Sequence, residues 1–85
     1  MPPSNLVVSG FDGENNELLC VTSLRNSQVS VYERHLKTPE GLTRLCMHSG
    51  QKAQQIARVF NACCVSPITT FASSDDRLME KLSPK

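Results

Sequence analysis

The run Glu17-Leu18-Leu19-Cys20-Val21-Thr22-Ser23-Leu24 constrains this chain more than any other segment. It is rich in β-formers, and successive side chains on a strand point to opposite faces. Leu19 and Val21 therefore face one way, and Leu18, Cys20, Thr22 and Leu24 face the other. Both faces are partly apolar, so both need cover. At 85 residues the chain has room for one domain and a thin core. Cover for the second face then comes from the chain's own tail, from a second copy, or from a partner.

Other strands are marked by short β-rich runs between turn signals. Leu6–Ser9 is followed by Asp12-Gly13 and Asn15-Asn16, which is turn chemistry. Arg25-Asn26-Ser27 separates the second run from Gln28–His35, which predicts a hairpin. Lys37-Thr38-Pro39-Glu40-Gly41 is another turn, and Leu42–His48 a fourth strand, with Leu45 and Met47 on one face and Arg44, Cys46 and His48 on the other. Turns this short predict an antiparallel meander.

A helix is expected over about Gly50–Cys63, with Ser49 as N-cap. Ala53, Ile56, Ala57, Phe60 and Cys64 form its apolar stripe. Ile68–Phe71 reads as a fifth, edge strand. Ser73-Ser74-Asp75-Asp76 opens a short C-terminal helix whose narrow apolar side is Leu78, Met79 and Leu82. The predicted class is α+β: a four- to five-stranded antiparallel sheet with one amphipathic helix on one face and a short C-terminal helix. Residues 1–72 form the domain and 73–85 a helical tail suited to docking. Strands followed by one amphipathic helix are similar to the end of pleckstrin-homology and phosphotyrosine-binding modules, whose seven strands exceed what this chain can supply.

Composition narrows the function classes. The net charge of +1 gives little long-range steering. It is unevenly spread, with −2 over residues 1–35, +3 over 36–64 and zero beyond. No apolar run reaches the roughly 20 residues of a membrane span. The first residues lack a signal peptide's basic and apolar regions. Cys20, Cys46, Cys63 and Cys64 sit in apolar surroundings or side by side, which suits free thiols better than a disulfide framework. These features predict a chain of the cytoplasm or nucleus.

No nucleotide-loop, serine-hydrolase or zinc-protease motif occurs. Cys46-x-His48 pairs two metal-type ligands, but with the adjacent Cys63-Cys64 the spacing is awkward for tetrahedral zinc. Neither metal nor cofactor is expected, and no small-molecule substrate is inferred. Asp12, Glu14 and Glu17 read as solvated turn carboxylates. The expectation is a non-catalytic protein–protein interaction or assembly subunit, binding another chain or a second copy of itself. Its interface candidates are Leu18, Leu24, Tyr32, Leu78, Met79 and Leu82. The alternative is nucleic-acid binding through Arg34, Lys37, Arg44, His48, Lys52 and Arg58, although Tyr32 is the one aromatic near them for base stacking.

Overall fold

The computed structural model describes residues 3–36, 38–65 and 67–83. Five strands form one antiparallel sheet: β1 (Asn5–Phe11), β2 (Glu17–Ser23), β3 (Val29–His35), β4 (Arg44–His48) and β5 (Thr69–Ser73). Their spatial order is β4-β3-β2-β1-β5. The first four strands are the expected meander, and β5 returns to pair with β1. The helices are α1 (Gly50–Arg58), α2 (Phe60–Cys63) and α3 (Asp75–Leu82). Among the described residues, no helix is long and apolar enough to cross a membrane.

Turn chemistry sets the hairpins. The Asp12 carboxylate accepts from the Glu14 and Asn16 amides at 2.8 and 2.9 Å, closing an Asx turn in which Asn15 takes a left-handed φ of 66°. Partial burial alone would raise the Asp12 carboxyl, but the Asn16 and Glu14 amide bonds outweigh it and hold it below its ordinary value. Between β2 and β3, Ser27 is left-handed at 61° and Asn26 Oδ1 accepts from the Gln28 amide.

The sheet is covered on both sides, as the two-faced β2 requires. On one face Val7, Leu19 and Val21 pack against Leu78 and Leu82 of α3. On the other, Leu18, Cys20 and Val31 pack against Ala53 of α1 and Phe60 of α2. The C-terminal tail thus covers the second face itself. Ser74 caps α3, its hydroxyl accepting from the Arg77 amide. Asp75 anchors the helix to the sheet. Its carboxylate accepts from Asn5 Nδ2 at 2.8 Å and Ser4 Oγ at 3.1 Å, and it pairs with Arg25 at 3.1 Å. The Asn5 and Ser4 bonds, with the Arg25 charge, hold this carboxyl below its ordinary value.

Several expectations are corrected. The helix predicted over 50–63 breaks at Val59 (φ −110°, ψ 16°), whose amide bonds back to the Ile56 and Ala57 carbonyls. The apolar stripe is therefore divided between two short helices, with Ala53 of α1 and Phe60 of α2 both buried. Ser49 stands before α1 but its hydroxyl makes no cap bond, because Gly50 enters the helix in a left-handed conformation (φ 60°). Glu17 is not a turn carboxylate. It begins β2, is 5% exposed, and faces α3. Its oxygens accept from Ser9 Oγ at 2.9 Å and Arg34 at 2.5 Å, with Lys81 of α3 at 3.5 Å. Burying this charge is tolerable because two cations and a hydroxyl surround it.

Candidate protein-interaction surface

The helices cover the sheet unequally. Leu78 and Leu82 of α3 lie over β1 and β2. The β3–β4 half of that face therefore carries apolar side chains with partial cover. Cross-strand pairing places Tyr32 opposite Met47, and Arg34 opposite Leu45. Tyr32, Leu45 and Met47 share this face with Met79, Leu82 and Ser83, and together they line a groove of about 380 Å³. Met47 is 59% exposed and Met79 65% exposed. One wall of the groove is sheet, the other is α3. Arg34, held by Glu17, stands at the Leu45 end. The groove is thus a concave apolar strip with a charged residue at one end.

The groove opens beside a sheet edge. Among the described residues β4 has a strand on one side only. The phase of hydrogen bonding along the sheet follows from the turn. The Ser23 amide donates to the Gln28 carbonyl at 2.9 Å, so Ser23 points its backbone groups at β3, and Leu24 donates away from it to Ser4. Backbone direction alternates along an antiparallel strand. Val21 and Leu19 then bond to Ser30 and Tyr32, which leaves Val31, Glu33 and His35 to bond to His48, Cys46 and Arg44. The amides and carbonyls of Leu45 and Met47 therefore point outward from the edge. The two residues whose side chains line the groove are the two whose backbone is open to a new strand.

The other interface candidates separate. Tyr32 and Met79 belong to the groove, and Leu82 forms part of its floor at 4% exposed. Leu78 is buried in the core under α3. Leu18 is corrected outright: it faces α1 and is 5% exposed, because its strand parity is opposite to that of Leu19. Leu24 is exposed, but it sits in the β2–β3 turn away from the groove. Sequence reasoning missed Leu45 and Met47 as groove residues. Their signal was the apolar alternation of the fourth strand, which becomes informative only once that strand is known to be an edge.

The basic candidates are spread over two faces. Arg34 is on the groove side and engaged by Glu17. Arg44 and His48 project from the opposite face of β4, where His48 Nε2 pairs with Glu33 Oε2 at 2.5 Å. Lys52 and Arg58 are exposed on α1, six positions apart and so on different sides of the helix. Lys37 lies outside the described residues.

The thiols are dispersed as well. Cys20 is buried, and burial pushes its thiol up. Cys64 packs on Gly10 of β1, and burial, then the neighbouring Cys63 and Asp12, raise its thiol too. Cys46 is half-buried on β4 and Cys63 exposed at the end of α2. Among the described residues no three His, Cys, Asp or Glu side chains converge as a metal site.

The molecule belongs to the α+β class, with a five-stranded antiparallel sheet covered by helices on both faces. Comparison of the chain with protein-family models, with curated proteins and with solved structures gave no match.

Proposed function

We propose that this chain is a protein–protein interaction subunit that works by binding, through the groove between α3 and the β3–β4 hairpin together with the outer edge of β4. One observation carries this reading: Leu45, half-buried, and Met47, exposed, line the groove with apolar side chains and are also the residues whose backbone groups point outward from the edge. An extended segment laid along β4 satisfies the backbone and covers the apolar strip in one step, the logic of strand addition. The four free thiols suit a reducing compartment, cytoplasmic or nuclear.

Affinity capture from nuclease-treated lysate tests the reading when wild type is compared with variants. Met79→Glu places a charge in the groove at a 65% exposed site, and Lys52→Glu reverses a charge on α1. A stoichiometric protein partner that no longer binds Met79→Glu but still binds Lys52→Glu supports the groove. Retention that depends on Lys52 and disappears with nuclease supports nucleic-acid binding instead.

A further inference from the structure

We infer that the occupant of the β4 edge is a second copy of this chain, its β4 paired antiparallel with the first about a two-fold axis through Cys46. The inference rests on the interaction reading above and specifies the partner. β4 reads Arg44-Leu45-Cys46-Met47-His48. A two-fold through Cys46 sets Leu45 opposite Met47 of the second copy, and Met47 opposite its Leu45. These are the residues whose amides and carbonyls point outward, so each pair exchanges two backbone bonds and the edge closes with four. Both side chains are on the groove face. Leucine therefore meets methionine across the seam, and the two grooves become continuous, flanked by Tyr32 and Met79 of each copy.

The opposite face is complementary in charge. Arg44 comes opposite His48 of the second copy, and each His48 is already paired with a Glu33 carboxylate. Each guanidinium thus meets an imidazole–carboxylate pair rather than a bare cation. Competing registers fit less well. A two-fold through Leu45 or Met47 pairs only three residues of the strand. A slip by one residue sets the apolar face of one copy against the polar face of the other. Isologous two-fold dimers are also the commonest form of homo-oligomer.

At the axis the two Cys46 residues form a non-hydrogen-bonded pair, in which the Cα atoms are about 4.5 Å apart. That is inside the roughly 4.4–6.8 Å range of disulfides, so Cys46 reports the register directly. The test combines mass in solution with cross-linking of the full chain. Light scattering at tens of micromolar gives twice the 9.4 kDa chain mass. Brief treatment with diamide, which takes up the two electrons and two protons released by a thiol pair, yields a covalent dimer. Cys63→Ser leaves that dimer intact and Cys46→Ser abolishes it.

Met47→Pro removes an outward amide and none of the bonds between β3 and β4. Proline is tolerated on an edge strand, so this variant is a folded monomer. Met47→Lys, which keeps the amide but charges the apolar seam, weakens the dimer at least tenfold and supplies the same test at a site already exposed. A wild-type chain at single mass, a dimer indifferent to both Met47 variants, or a cross-link running through Cys63 overturns the pairing. A monomer whose Met79→Glu variant loses a different protein overturns the self-pairing and leaves the interaction reading standing. A monomer whose variants lose nothing overturns both.

Discussion

Replacing Leu82 by alanine tests whether α3 is part of the folded core. Leu82 is 4% exposed and packs with Val7, Leu19, Val21 and Leu78. The substitution removes three carbons, which at about 0.8 kcal/mol per buried methylene is roughly 2.4 kcal/mol before any cavity term. Buried Leu→Ala changes span about 2–5 kcal/mol. Leu82 is in the last turn of α3 and borders the open groove, so the site can relax and the low end applies, about 2–3 kcal/mol. In a domain of this size each kcal/mol moves Tm by about 4–8 °C, so Tm falls by about 10–20 °C.

Met79→Ala, three positions earlier on the same helix but 65% exposed, changes stability by less than about 0.5 kcal/mol. Urea and thermal unfolding followed by circular dichroism, at a concentration low enough to keep self-association out of the equilibrium, measure both. Equal, small effects would refute the docking of α3 on its own sheet. A larger effect from Met79 than from Leu82 would mean that the helix is rotated about its axis so that Met79, not Leu82, meets the sheet.

Three further outcomes follow from particular contacts. Glu17→Gln leaves Arg34 and Lys81 without their shared carboxylate. Because Arg34 keeps some solvent access, the loss is about 2 kcal/mol, below the range for fully buried pairs, and urea midpoints at neutral pH report it. Alanine at Gly10 puts a Cβ 2.5 Å from Cys64 Sγ, which destabilises by about 1–3 kcal/mol; Cys64→Ala restores part of this in a double-mutant cycle, and additivity of the two changes would contradict the contact. The Asp75 carboxyl is held below its ordinary 3.8 in the fold, so its contribution is fully present above that value and is lost as pH falls through the depressed folded value; Asp75→Asn flattens the acid side of the stability profile measured between pH 5 and 2.5, and an unchanged acid limb counts against the anchor.

The sheet and its order of strands were legible because period-2 runs and turn residues are local signals. Glu17–Leu24 showed apolar residues on both faces, and Asp12-Gly13 with Asn15-Asn16 marked the first turn, where the structure has β2 and an Asx turn. Four features escaped, the first and last of them because they depend on distant parts of the chain. The burial of Glu17 is decided by Arg34, seventeen positions on, and by Lys81 at the far end of the chain. The break at Val59 lies inside an unbroken helical pattern, and the sequence carries no glycine or proline there to announce it. Ser49 has the right residue type for a cap, but the left-handed Gly50 directs the chain past it. Leu18 and Leu19 look alike in sequence, and only the placement of the helices separates their surroundings.

The candidate site was legible in part. Apolar patterning singles out Tyr32, Met79 and Leu82, and the groove brings them together. Leu45 and Met47 complete it for a reason no local pattern contains: the return of β5 to β1 leaves β4 at the sheet's outer edge. The basic residues were adjacent in the chain's middle third, but strand parity divided them between two faces.

Residue-resolved amide hydrogen exchange along β4, measured across protein concentration and with any captured partner, shows whether the β4 edge is the binding surface. The Leu45 and Met47 amides are expected to exchange rapidly in the dilute chain and to become protected as the edge is occupied. The amides of Arg44, Cys46 and His48, already bonded to β3, stay protected throughout. Leu45 and Met47 amides that are protected in the dilute chain, or that never gain protection while self-association or partner binding saturates, would contradict an interface at this edge.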